Sequence, residues 1–161
     1  MRQEPPPLLI GERINTQGSR KAKQLILEED LDSIVALGRK QIERGAHALD
    51  VCVALTERDD EKETMQKVVK LLSMGVDAPL MIDTTDPEVM EQALRLCQGK
   101  AILNSINLED GEERFEQVVP LARRFGAALV VGCIDEDPGT QSHGRGLERT
   151  VADVGNLDQR L

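Results

Sequence analysis

The sequence predicts an α/β fold, part of a (β/α) barrel with about five parallel strands and intervening helices. Three observations carry that expectation. Short, nearly continuous apolar runs recur along the chain, as strands buried on both faces require. Helix-like segments separate these runs. The runs end in polar residues, which suits strand ends whose loops face one common cleft.

Pro5-Pro6-Pro7 is a stiff lead-in to the first strand, Leu8-Leu9-Ile10, which ends at Gly11-Glu12-Arg13. A polar loop from Asn15 to Lys21 follows. Ile34, Val35, Leu37 and Ile42 recur at near-helical spacing between Asp32 and Arg44, and Gly45 ends that helix. Ala48 to Val53 is the second strand, and the charged loop from Thr56 to Glu63 leads to a helix carrying Met65, Val68, Val69, Leu71 and Leu72. Leu80 to Ile82 is the third strand. Asp86-Pro87 opens the next helix, because Asp caps well and Pro suits the first helical position. Val89, Met90, Ala93, Leu94 and Leu96 form its inner face, and Gly99 ends it. Ala101 to Asn104 is the fourth strand. Phe115, Val118, Val119 and Leu121 mark a further helix with a kink at Pro120. The fifth strand runs from Ala127 to Ile134.

The repeat length suits a TIM-type barrel, but a full one has eight such units in about 250 residues. Five strands are visible in these 161 residues, so the expectation is a partial barrel. Residues from Asp135 onward are rich in Gly and charge. They hold at most one short helix, near Leu147 to Val154, and no sixth apolar strand.

Lys and Arg total 20 against 29 Asp and Glu, a formal net charge of -9. That argues against nonspecific binding to nucleic acid or to an anionic membrane surface. Aromatic residues make up 1% of the chain, which removes a base-stacking platform. No run approaches the roughly 18 apolar residues of a membrane span. Cys52, Cys97 and Cys133 are far apart, and only His47 and His143 could assist them, so no metal site is expected. The odd cysteine count and the lack of a signal peptide fit a reducing cytoplasm.

The chemistry gathers at the strand ends. Asp83 and Asn104 each follow an apolar run and should lie side by side. A carboxylate with two acceptor oxygens fits an N–C–NH2 edge, and a carboxamide offers both donor and acceptor to a ring with mixed edges. Asp83 could equally be a loop carboxylate, although Asp86 holds the better cap position. Glu12 would face the same cleft, unless it pairs with Arg13 or another cation. Gly18-Ser19 is either a flexible turn or a place where backbone N–H groups approach a ligand. Asp50 interrupts an apolar strand and would need partners there. No residue stands out as a catalytic nucleophile or base.

Several ordered runs then share a resemblance. Ile10 to Asn15 with Gly18-Ser19, Gly45-Ala46 to Val51, Met81 to Thr85, Leu103 to Ile106, and Arg124 to Val131 resemble the pterin-binding domain of cobalamin-dependent methionine synthase. The corrinoid/iron-sulfur protein methyltransferases share these elements. The similarity extends from about Leu8 to about Asp137, so residues 1–137 are expected to form a partial pterin-binding domain and 138–161 a polar C-terminal tail.

The resemblance implies a barrel that binds 5-methyltetrahydrofolate and presents its N5 methyl to the cobalt of a corrinoid (cobalamin), carried by a partner domain or protein. By position, Asp83 and Asn104 match pterin contacts, Glu12 a further pterin-site carboxylate, and Gly18, Ser19 and Arg20 a loop that touches the folate. Two departures follow. Cys52 stands where the family commonly has Asn, and the sequence ends before the strands that supply a second pterin-contacting Asp and an Asn near N5. The rival expectation is a non-catalytic half-barrel or gene fragment, whose open edges and apolar inner face would be covered by self-association. A dihydropteroate synthase-like activity fits less well. That family's second-strand loop is rich in Gly, Ser and Arg, whereas Val51-Cys52-Val53-Ala54-Leu55 is not.

Overall fold

The computed structural model describes residues 6–107, 113–132 and 149–153. Five strands are parallel: β1 (Ile10–Asn15), β2 (Ala48–Cys52), β3 (Leu80–Asp83), β4 (Ile102–Ile106) and β5 (Ala128–Gly132). Between them lie α1 (Arg20–Leu27), α2 (Leu31–Glu43), α3 (Glu61–Gly75), α4 (Pro87–Leu94) and α5 (Glu113–Phe125). The strands stand side by side in chain order. That is the singly wound order of a barrel wall, in which each helix returns the chain to the next strand.

The two sheet faces differ. Alternate strand residues Leu49, Val51, Ile82 and Leu103 are fully buried against helix residues such as Met65, Val69, Leu72 and Met90. Each such side chain contributes about 1.5–3 kcal/mol by leaving water. Gly38 of α2 lets that helix lie close, since a Cβ there would sit 3.1 Å from both Leu49 Cδ1 and Leu72 Cδ2. On the opposite, inner face, Ala48, Met81, Ile102, Ala128 and Val130 form a separate apolar cluster with Ile10. Met81 is 5% exposed and Ile102 7%. Among the described residues these inner-face side chains are buried.

Three differences from the sequence reading follow. The first strand begins at Ile10 and runs through Gly11-Glu12-Arg13 to Asn15. It pairs with β2 on both sides of a register shift between Gly11 and Ile14, so its polar stretch is strand despite its composition. The expected loop to Lys21 instead opens α1 at Arg20. Ser19 caps that helix, and Ala22, Leu25 and Ile26 are buried at helical spacing. The helix expected near Leu147 to Val154 is not formed. Arg149–Asp153 is a sixth strand, β6, antiparallel to β5. It is the only described part of the tail expected over 138–161. The fifth strand is described as far as Gly132; Cys133, Asp135, Asp137 and His143 lie outside the described residues. α4 begins where expected but ends at Leu94, before Leu96 and Gly99. Asp86 accepts from the N–H groups of Glu88 and Val89, with Pro87 at the first helical position, and Pro120 lies inside α5.

Candidate functional site

Register sets the site. Asp83 and Asn104 are paired neighbours on β3 and β4, at their carboxyl ends. Asn15 pairs with Cys52 on β1 and β2, and Asn104 with Val130 on β4 and β5. One step beyond the Val51–Ile82 pair places Cys52 beside Asp83. A lateral row thus crosses the sheet: Asn15, Cys52, Asp83, Asn104, Val130. Side chains alternate along strands, so this row shares the inner face with Met81 and Ile102 one layer below. The polar row thus lies above a buried apolar cluster.

Asp50 rises into that row from the lower layer, opposite Met81. It is 3% exposed. Asn15 Nδ2 donates to Asp50 Oδ2 at 2.7 Å and to Asp83 Oδ2 at 2.9 Å. Asn15 Oδ1 accepts from the N–H groups of Gln17, at 2.9 Å, and Gly18, at 3.3 Å. Because only an oxygen can accept those backbone bonds, the NH2 end must face the two carboxylates. One amide thus orients both acids and also shapes the loop after β1.

The loop after β3 is held as firmly. Thr84 donates its hydroxyl to Glu61 Oε1 at 2.6 Å. Arg114 of α5 donates to the carbonyls of Thr84, at 2.8 Å, and Thr85. Asp83 is thereby fixed from both sides of its strand end. Cys52 is buried, and burial, with Asp83 and Asp50 close by, raises its thiol pKa and keeps it neutral. Thr16 lies against it, its hydroxyl 3.9 Å from Cys52 Sγ.

These residues border a cleft of about 660 Å³ lined by Glu12, Arg13, Asn15, Asp50, Asp83 and Asn104, with Gln17, Gly18 and Ser105 at its margin. The volume suits a bicyclic ligand. Glu12, Arg13, Gln17 and Gly18 are exposed, so the cleft opens to solvent on that side. Of the residues expected from sequence, Asp83, Asn104, Glu12 and Gly18 come together here. Ser19 does not: it is buried, and its hydroxyl accepts from Ala22 N at 3.2 Å as the cap of α1. Arg20 lines an adjoining cleft that also includes Gln17 and Gly18. Asn15 and Arg13 were missed as site residues. An Asn two residues before a Gln-Gly pair is a usable turn signal, but nothing local shows which acids it would reach.

Residues 11–158 match the family described as pterin binding enzyme.

The chain belongs to the pterin binding enzyme family.

Over 152 residues it is 34% identical to methionine synthase of Mycobacterium leprae (strain TN), covering 92% of this chain and 12% of that protein. Over 138 residues it is 34% identical to methionine synthase of Mycobacterium tuberculosis (strain ATCC 25618 / H37Rv), covering 84% and 12%. The chain therefore spans about one eighth of the length of these relatives (12%). Among solved structures, dihydropteroate synthase of Yersinia pestis with a pterine-sulfa conjugate superposes with a TM-score of 0.52 at 19% identity, covering 78% of this chain and 42% of that one. Dihydropteroate synthase of Xanthomonas albilineans with 4-aminobenzoic acid gives 0.51 at 20% identity, covering 78% and 45%. At such identities the likeness is one of fold, and its extent fits a partial barrel. Among the described residues no helix is long and apolar enough to cross a membrane, and no three His, Cys, Asp or Glu side chains are grouped to hold a metal ion.

Proposed function

We propose that the cleft binds the pterin ring of 5-methyltetrahydrofolate and presents its N5 methyl to a corrinoid cobalt carried by a partner domain or protein. The single observation that carries this reading is the registered pair Asp83–Asn104, with Asn15 tying Asp83 to Asp50. A pterin offers an N–C–NH2 edge, and a carboxylate accepts two parallel bonds from it. The Asn104 amide suits the neighbouring edge, where donor and acceptor alternate.

A corrinoid cobalt on the partner would supply the nucleophile for the methyl group. This chain's residues hold the ring and set its orientation. Such positioning converts an encounter into a near-attack geometry. When the N5–methyl bond breaks, its electron pair stays on N5, so a proton or hydrogen bond at that nitrogen favours departure. The solvent-open side of the cleft, at Glu12, Arg13 and Gln17, leaves the bound methyl donor within reach of a partner.

The identity to two methionine synthases favours this reading over a dihydropteroate synthase activity, for which only fold likeness speaks. Isothermal titration of the chain with 5-methyltetrahydrofolate tests it. Binding to the chain, weak alone or gained when the C-terminal half of a related barrel is supplied in trans, is expected to saturate and to weaken in Asp83→Asn and in Asn104→Ala; no heat of binding even with that half supplied overturns the proposal.

A further inference from the structure

The first strand does not keep its period. Ile10 packs against the inner apolar cluster, and Gly11 turns to α2. Strict alternation from there would send Ile14 to the inner face and Asn15 toward the helices. The reverse is seen. Ile14 is buried in the helix-side core, and Asn15 reaches Asp50 and Asp83. Register explains the change: Gly11 pairs with Leu49 and Ile14 with Val51, so Glu12 and Arg13 together stand opposite Asp50 alone. One extra residue makes a bulge, and it moves every later side chain of the strand to the other face.

The bulge is held from behind. Arg13 has no partner on β2 in this register, and its N–H donates to Gln41 Oε1 at 2.8 Å. Gln41 comes from α2 and is 9% exposed. Only its oxygen can accept that bond, and its Nε2 is buried without a partner among the described residues. An unpartnered buried donor is costly. An apolar side chain would fill this place on α2 without that cost, so the use of an amide here lies in the bulge. Gly11 leaves it room: a Cβ there would sit 2.6 Å from Gln41 Oε1. Gln41 is not itself among the residues that line the cleft, whereas Glu12, Arg13 and Asn15 are.

We infer that Gln41 is a positioning residue for the cleft: by holding the β1 bulge it keeps Asn15 turned to Asp50 and Asp83, and so sets pterin affinity without touching the ligand. The effect on affinity rests on the pterin reading of the cleft; the effect on Asn15 does not.

The test joins NMR of the full chain to titration with 5-methyltetrahydrofolate, alone or with the C-terminal half supplied. In the unaltered chain the Arg13 N–H is expected to exchange slowly with solvent, and the Asn15 NH2 protons to resonate away from those of an exposed amide. Gln41→Met keeps the length and removes the amide. It should return the Asn15 signals toward exposed values and weaken binding about tenfold, the worth of one misaligned charge-assisted bond. Gln41→Glu accepts a hydrogen bond in either protonation state and should restore both. Val118→Ala, a truncation in the core under α5, should lower the urea midpoint and move neither, which separates positioning from a general loss of stability. Adding Gln41→Met to Asn15→Leu should weaken binding by no more than about twofold beyond Asn15→Leu alone, because the first acts through the second. Where Gln41→Met fails to fold, Gly11→Ala displaces the carboxamide by another route and should shift the Asn15 signals in the same way. Fast exchange of the Arg13 N–H in the unaltered chain, Asn15 signals unmoved by Gln41→Met, or an affinity unmoved by it overturns the inference. If the unaltered chain takes no ligand even with the supplied half, the pterin reading falls, and the Asn15 signals alone decide whether Gln41 positions that amide.

Discussion

The side-chain amide of Asn15 donates to Asp83 at 2.9 Å, joining the first strand to the third across the end of the second. The same nitrogen reaches Asp50 at 2.7 Å. Asn15→Leu keeps the size but removes this donor from both carboxylates. A loss of about 1–3 kcal/mol in unfolding free energy is expected, together with weaker pterin binding. Urea denaturation checks it; an unchanged midpoint would show that the amide orients nothing.

Asp83→Asn keeps the shape and removes the charged acceptor. Affinity for 5-methyltetrahydrofolate should fall about ten- to hundredfold, the value of a charge-assisted pair of bonds. Thermal stability should move little, because Asp83 is only half-buried. Calorimetry on both variant and parent separates binding from folding. A fall in stability with affinity intact would make Asp83 a structural acid.

Gly38→Ala sets helix preference against packing. Alanine favours the helix by about 1 kcal/mol, but its Cβ would lie 3.1 Å from Leu49 Cδ1 and Leu72 Cδ2. Overpacking a tight core costs about 1–3 kcal/mol, so net destabilisation near 1 kcal/mol is expected. A stabilised variant would mean that the two leucines yield without cost.

Stability should fall at both ends of the pH scale. Burial pushes the Cys97 thiol from 9.0 up to about 11. A raised value means stability that is full below pH 9 and lost as pH rises through 11, and Cys52 adds to it in the same direction. At the acid end, the Arg58 guanidinium holds Asp60 down to about 2 from 3.8, so its contribution is present above pH 3.8 and lost as pH falls through 2. Cys97→Ala should flatten the alkaline limb of urea midpoints measured between pH 8 and 11; an equally steep limb would place the titration elsewhere.

Much of the alternation was legible because apolar runs and caps are local signals. Asp86-Pro87 marked α4, and the run before Asp83 marked β3. The misreadings also have local reasons. Gly11-Glu12-Arg13 looks like a loop because an edge strand with one solvent-facing side tolerates polar residues. The helix that Ser19 caps was readable too, since Ala22, Leu25 and Ile26 recur at helical spacing after it. β6 is not evident from sequence because Arg149 to Asp153 is charged at both ends and lacks the continuous apolar run of the other strands.

The sequence by itself determined that Asp83 and Asn104 end neighbouring buried strands, since composition and period are written in consecutive residues. Only the tertiary structure decided which groups surround them. Asn15 and Asp50 are 35 residues apart, and Asn15 and Asp83 are 68 apart. A hydrogen bond over such separations exists only once parallel register has brought three strand ends together. That register, set by burial of Leu49, Ile82 and Leu103 against the helices, turned separate polar residues into one rim.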